Sequence, residues 1–462
     1  MRKIVLLISL SLFIFSCTTS KVEKVNLSNV EHPQWLSNAI IYEVNTRQFT
    51  EEGTFEAFMS HIPRLKELGV DILWFMPIHP IGVKDRKGEL GSYYSIVDYK
   101  EVNPEFGTIE DFKMVVAEAH KHGMKVILDW VANHTSRDAK WLQTNPEWYV
   151  MDSITNSPVA PFDWSDVAKL NYDVPEVREA MLDAMMYWIR DIKIDGFRCD
   201  VAAEVPVDFW DYAVAKLKEV NSDIFMLAEA EEPALQYNAF NAYYGWHFHH
   251  IKNKIASGEY GIDSIRSYMK RGYTRFPSNT IPMFFTSNHD ENSWNGTEFD
   301  RLGNHAKQMA VFTFVMPGMP LIYNGQEVGF NRMLEFFVKD QIDWNGDLSF
   351  TDFYRNLISF KKSNEILDTP DKSIFNEIVT DHPDKIYAFH RTLLQDELIA
   401  IFNFSSEEVI TFLNGIDNGD YLLFNPDDAS KQQVYLKDEQ TITIEPYGYR
   451  IFIKNNTVKG DG

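Results

Sequence analysis

Cysteine is nearly absent from this chain: two occur in 462 residues, Cys17 and Cys199. With Cys17 assigned below to export, no intramolecular disulfide can form, and stability has to come from a core large enough to need none. Positive charge is the second scarcity. Lys and Arg number 44 against 67 Asp and Glu, a formal net charge of −23. Beyond Arg2 and Lys3 no basic run occurs, so phosphate backbones find nothing to pair with, which argues against nucleic acid as a partner. Long apolar runs are missing too, apart from residues 4–15, a stretch too short to span a bilayer. Aromatic residues, by contrast, make up 14% of the chain and include 11 Trp. Most of those rings belong to a core, and the rest are available to stack on the apolar face of a neutral ligand such as a sugar.

Met1-Arg2-Lys3, the apolar stretch to Phe15, Ser16 and then Cys17 form a signal-peptide pattern. Ile14-Phe15-Ser16-Cys17 resembles the lipobox at which bacteria cleave and acylate a new N-terminal cysteine, with Phe15 where a small residue is usual. The expectation is a signal peptide over 1–16 and a lipidated, polar tether over 17–34. The protein would then be anchored by lipid alone at the outer membrane of a bacterial cell envelope, facing the periplasm or the outside. Folding is expected to begin near Trp35. Cys199 sits in an apolar run and reads as a small core residue.

From there short β-rich runs alternate with amphipathic segments. Strands are expected at 39–44, 71–76, 125–130, 195–200, 224–228, 243–246, 281–286 and 320–323. Helical patterns follow at 54–68, 109–122, 175–192, 206–220, 263–271, 301–316 and 352–362. Eight βα units are the number of a (β/α)₈ barrel, here over 35–134 and 174–370, although a doubly wound open sheet shares the local pattern. Residues 135–173 interrupt the repeat with Asp, Pro, Asn and Trp and read as a small inserted domain with a binding role. Over 371–458 the texture changes to short alternating strands, among them 385–391, 397–403, 419–424 and 441–444, the pattern of an antiparallel β-sandwich.

In a parallel barrel, polar residues that end apolar strands converge on one mouth. Four strands end that way: Asp129-Trp130-Val131-Ala132-Asn133-His134, Arg198-Cys199-Asp200, Ala228-Glu229 and Asn288-His289-Asp290. Taken singly, each acid could be a strand-end salt bridge or a helix cap. Together they provide what glycoside hydrolysis needs: one carboxylic acid to protonate the leaving oxygen and, for retention, a second carboxylate about 5–5.5 Å away to attack the anomeric carbon. Arg198, two residues before Asp200 and on the same side of the strand, is expected to keep Asp200 ionised, while Glu229 nearby is raised and holds the proton.

These segments resemble the signature regions of the α-amylase family of glycoside hydrolases. The likeness extends over the barrel, through Ile40-Ile41-Tyr42-Glu43, Leu73-Trp74-Phe75-Met76-Pro77, Gly91-Ser92-Tyr93-Tyr94 with Asp98-Tyr99, and the run Pro317 to Glu327. The resemblance implies Asp200 as nucleophile, Glu229 as acid/base and Asp290 as the carboxylate that grips the sugar at the cut. It implies Tyr94 as a stacking platform, with His134, Arg198 and His289 around the same sugar. It makes Asp129 and Asn133 structural or metal-linked, and matches Lys169-Leu170-Asn171 to a further signature.

Two positions depart from the pattern. Many amylases carry Lys and His three and four residues after the nucleophile, where this chain has Ala203 and Glu204. The side that holds the leaving sugar is therefore expected to lose a cation and a ring donor. Affinity should then come from Tyr94, His134 and aromatics of the insertion such as Trp141, Trp148, Phe162 and Trp164. The family's calcium position would take Asn133, but no aspartate cluster completes it, so no metal is predicted and no cofactor is required. The implied activity is hydrolysis of α-1,4-linked glucans and maltooligosaccharides, α-amylase first. Exo-acting α-glucosidase, cyclomaltodextrinase or neopullulanase-type action are alternatives, and a catalytically silent glucan-binding lipoprotein is the alternative of a different class.

Overall fold

The computed structural model describes residues 27–454, so the signal-peptide and Cys17 assignments lie outside the described residues. Eight parallel strands close into a barrel: β1 Ile41–Val44, β2 Ile72–Phe75, β3 Lys125–Trp130, β4 Gly196–Cys199, β5 Phe225–Ala228, β6 Ala242–Tyr244, β7 Ile281–Phe284 and β8 Met319–Tyr323. Around the ring the order is β1-β8-β7-β6-β5-β4-β3-β2. The closed ring decides between the two architectures that the local pattern left open.

Alternation within each strand divides two cores. Tyr42, Leu73, Phe75, Val126 and Leu128 face outward and pack against the surrounding helices. Ile41, Ile72, Trp74, Ile127, Leu227, Met283 and Leu321 point inward and fill the barrel with a separate apolar cluster. Buried on both sides, the strands read as nearly unbroken apolar runs, as parallel strands do. The inward phase has a consequence at the top of the barrel. Two residues beyond Ile41 and Ile127 stand Glu43 and Asp129, both fully buried. Arg198 stands two residues beyond Gly196, whose φ is +150° and where a Cβ would lie 1.8 Å from the Phe225 carbonyl oxygen. Only glycine fits that approach of β4 to β5.

Several elements differ from expectation. The helix expected over 54–68 is two pieces, Phe55–Met59 and Ile62–Leu68, the second starting with Pro63 in its first turn, where a missing N–H costs nothing. An additional helix, Trp246–Ala256, follows β6. Its polar sequence conceals an inner face that buries His249 and Lys252 beside Phe248 and Ile251. The helix expected over 301–316 restarts, with a capped turn Glu298–Leu302 before Ala306–Val315. The tether is also shorter than expected. Ser28 N–H donates to Asn279 Oδ1 (2.9 Å), Asn29 N–H to the Tyr237 carbonyl (2.7 Å), and Val30 is buried, so the chain is docked before Trp35.

The insertion is anchored by a two-stranded antiparallel pair, His134–Ser136 with Val167–Lys169. After the barrel, a six-stranded sheet and a two-stranded sheet enclose their own apolar core. This domain is fastened to the barrel by rings and by one buried cation. Phe360 stacks on Phe424 at 4.1 Å, and Arg391 donates to the Val315 carbonyl (2.8 Å) and pairs with Asp371 (2.7 Å). Among the described residues no helix is long and apolar enough to cross a membrane.

Candidate active site

A cavity of about 450 Å³ opens at the carboxyl ends of the strands and is lined by Tyr94, His134, Asp200, Glu229, His289 and Asp290 among others. At its floor lies Arg198, with rings of Trp74 (5.2 Å), Tyr94 (5.9 Å) and Tyr244 (5.3 Å) about its guanidinium. Nη1 donates to Asp129 (2.8 Å) and Asp200 Oδ1 (3.1 Å), and Nη2 stands 3.0 Å from Glu229 Oε2. Arg198 is thus shared among three carboxylates. The sequence pointed to its charge on Asp200, and the fold adds Asp129 and Glu229.

The electrostatic consequence differs from the sequence-based expectation as well. Burial, then the Glu229 charge, push the Asp200 carboxyl well above the usual range against the pull of Arg198. Burial likewise raises Glu229. The two titrate as a pair that keeps a proton above ordinary carboxylate pH, and Arg198, facing both, does not choose between them. Hydrogen bonding does distinguish them. Asp200 Oδ2 is buried and has no partner. Glu229 accepts the Val201 N–H at Oε2 (2.9 Å), the same oxygen that faces Arg198. Val201 has φ +34°, a conformation that costs a β-branched residue about 1–3 kcal/mol and directs its amide at Glu229.

His289 links the acids on the other side. Its Nδ1 meets Glu43 and its Nε2 meets Tyr94 Oη (2.7 Å) and Asp290 (3.3 Å). Burial alone would lower its pKa, but Asp290 and Glu43 outweigh burial and hold it at about 9. The imidazolium therefore donates from both nitrogens, and Tyr94 in turn donates to Asp129 Oδ2 (3.0 Å). The Tyr94 ring lies against His289 (5.4 Å, 21° between planes), which holds the ring in place. His134 is the opposite case, neutral because burial and Lys169 lower it to about 3.

Of the insertion's aromatics, only Trp164 lines the cavity, edge-on to His134 at 5.3 Å, with Phe162 against its outer side (4.8 Å). Trp141 packs on Tyr99 and Trp148 on Trp141, and neither lines the cavity, which corrects their expected role. Glu204 pairs with Lys169 at 3.1 Å, so its negative charge is balanced. Sequence reasoning missed Trp294, Phe336, Phe337 and Lys87, which complete the wall. Lys87, Phe336 and Phe337 lie in loops and Trp294 in a short helical turn, Glu291–Asn295, where no periodic pattern marks them. The calcium position does not fit these residues: Asn133 Nδ2 faces His134 Nδ1 at 3.3 Å, and the group beside Glu204 is an ammonium. Among the described residues no cluster of three or more His, Cys, Asp or Glu could hold an ion.

A closed (β/α)₈ barrel with buried carboxylates at the ends of β3, β4 and β5 has the paired acids that a glycoside hydrolase needs. The chain belongs to the α-amylase family, since a model of the alpha amylase catalytic domain matches residues 40–383. The α-amylase MalA of Haloarcula japonica is 29% identical over 391 residues, which are 81% of this chain and 56% of that protein. The chain therefore spans a little over half of that relative's length. The crystal structure of a maltogenic α-amylase, AmyB, from Thermotoga neapolitana superposes with a TM-score of 0.82 at 28% identity, over 90% of this chain and 98% of that one. An α-amylase from Lactobacillus plantarum gives 0.80 at 30% identity, over 90% and 99%.

Proposed function

We propose that this glycoside hydrolase cleaves α-1,4-glucosidic bonds in starch- or glycogen-like glucans and maltooligosaccharides with retention, Asp200 acting as nucleophile, Glu229 as acid/base and Asp290 as the group that grips the sugar. The observation that carries this reading is the Arg198 fork, which holds Asp200 and Glu229 on one guanidinium and leaves Asp200 Oδ2 without a partner. That oxygen is free to attack the anomeric carbon. Both contacts of Glu229 fall on Oε2, so Oε1 carries the proton that the leaving oxygen needs. Once the glycosyl ester has formed on Asp200, the ionised Glu229 removes a proton from the water that hydrolyses it. His289 and Asp290 lie beside Tyr94, where charge developing on the sugar ring in the transition state would meet a carboxylate.

The test is sugar release from amylose, with the anomer of the first product followed by NMR. The expected product is α, and an initial β-anomer would overturn retention. Complete inactivity on every α-glucan would favour a silent glucan-binding protein. The names of the relatives include both α-amylases and maltogenic enzymes, and exo-acting forms are the second reading. We also carry the envelope assignment as a proposal: Cys17 as the lipid-bearing mature N-terminus, tested by mass spectrometry of the exported protein. Cleavage at another position would reject it.

A further inference from the structure

We propose that residues 82–91 form a fixed strap that closes the cleft on the side away from the leaving sugar, so that the enzyme reads non-reducing chain ends and releases a short product of uniform length. The inference rests on the assignment of Glu229 as the acid. Glu229 follows β5, which lies four strands from β1 in either direction around the ring of eight. The leaving sugar must sit on that side, because Glu229 protonates its oxygen. The strap follows β2 and reaches Phe337, beyond β8, so it stands over the strands flanking β1, on the opposite rim. The sugar attacked through its anomeric carbon extends its non-reducing end toward this rim.

The strap is fastened at many points. Val83 and Lys84 both donate their N–H groups to Asp138 Oδ2, at 2.8 and 3.1 Å. Arg86 reaches back to the carbonyls of Gly82 (2.7 Å) and Ile81 (3.1 Å). Leu90 N–H donates to the Phe337 carbonyl at 2.8 Å. At Gly88, φ is +63° and the Phe337 side chain occupies the space a Cβ would need, 2.4 Å away. Finally Lys87 crosses to Asp166 of the insertion at 3.3 Å, and both residues line the cavity. The strap thereby joins the insertion on one side and the loop after β8 on the other, and the Lys87–Asp166 pair stands in the cavity wall between them. The Lys87 ammonium is partly exposed, so this pair by itself is weak. The backbone bonds to Asp138 and Phe337 hold the strap, and Lys87 extends from it to the cavity wall.

The experiment compares maltoheptaose with maltoheptaose blocked at its non-reducing end, and follows product sizes from amylose at early times. For the wild-type enzyme kcat/KM on the blocked substrate should be at least about tenfold lower, and amylose should yield one short oligosaccharide from the outset. Asp138 is a positioning residue outside the cavity. Asp138→Ala should release the strap and raise the blocked-to-free ratio toward one, whereas Asp138→Asn, which retains an acceptor oxygen, should keep the wild-type ratio. Lys87→Ala should raise the ratio even where Asp138→Ala fails to fold. Equal rates on blocked and free substrate, with ladders of mixed products, would overturn the strap and leave the hydrolase assignment standing. No activity on either substrate would overturn the assignment on which it rests.

Discussion

Asp290 and Glu291 are neighbours in the chain and face two charge networks of opposite character. Asp290 looks into the cavity, where it, Glu43, Asp129, Asp200 and Glu229 share only Arg198 and His289 as cations. Glu291 turns behind β7 toward His249 (3.1 Å) and Arg301 (3.5 Å), with Asn295 donating at 3.1 Å. Burial acts in the same direction in both places, yet the outcomes differ. At Asp200 burial prevails over Arg198 and the carboxyl is raised. At Glu291 burial is overcome by the hydrogen bond and charge of His249 and by Arg301, and the carboxyl is held down at about 2. The balance of partners, and not depth, determines whether a buried acid stores a proton here. An excess of acids around one arginine makes a site that can give and take protons, and a balanced cluster makes a strut.

The largest expected effect breaks the catalytic side. Asp200→Asn and Glu229→Gln should each lower kcat by about 10³-fold or more, because each removes a reacting group while nearly preserving shape. Neither should lower the melting temperature, since each relieves a cluster with surplus negative charge. Retention of more than about a tenth of wild-type activity in either would contradict the roles given above. Glu291→Ala should show the inverse pattern. It leaves Arg301 buried without its carboxylate, a loss of about 3–5 kcal/mol for a broken buried pair, with a kcat far closer to wild type than that of Asp200→Asn. Thermal melts and turnover measured on the same samples would show whether the two networks separate in this way.

A pH series sharpens the comparison further. His289 has its pKa raised from 6.5 to about 9, with Asp290 and Glu43 outweighing burial. A raised basic group contributes stability that is complete below pH 6.5 and is lost as pH climbs through about 9. Glu43→Gln removes one of the two charges that sustain the shift, so in that variant the loss should finish at lower pH. Lys252, lowered to about 7 by burial, acts with the opposite sign but is common to both proteins and cancels in the difference. Denaturant unfolding of both from pH 6 to pH 10 tests this, and curves that differ only by a constant offset would refute it.

The barrel was legible because its strands are buried on both faces and its polar residues end them in the inward phase. Asp200, Glu229, His289 and Asp290 stand out in the sequence as polar residues that end apolar runs, and they come together at one mouth. Glu43 carried a signal too, a carboxylate two places after the inward-facing Ile41, and phase alone would have sent it to the same mouth. What the sequence could not convey was sharing. Arg198 two residues before Asp200 reads as a pair, and only the closed ring brings Asp129 and Glu229 to the same guanidinium. The strap and its anchor at Phe337 lie some 250 residues apart in a chain whose loops have no period. Such contacts are decided by tertiary packing, and local patterning cannot report them.

The smallest expected effect concerns Glu204, one of the two positions where the sequence departs from the pattern it resembles. Lys169 pairs with Glu204 at 3.1 Å, and both side chains are about one-third exposed. A pair so exposed is worth about 0.2–1 kcal/mol, which limits its influence on binding to about fivefold. Two roles for Lys169 fit that position: it neutralises Glu204, or it contacts the leaving sugar itself and Glu204 merely holds it. We expect the first, because the pair is closed and leaves no charge in surplus. Lys169→Met should then raise KM for maltotriose modestly with kcat unchanged, by leaving the Glu204 carboxylate unbalanced. Lys169→Met combined with Glu204→Gln should restore the wild-type value, since nothing remains to neutralise. Were Lys169 a direct sugar contact, the double variant would stay as weak as the single one, and the coupling between the two positions would vanish.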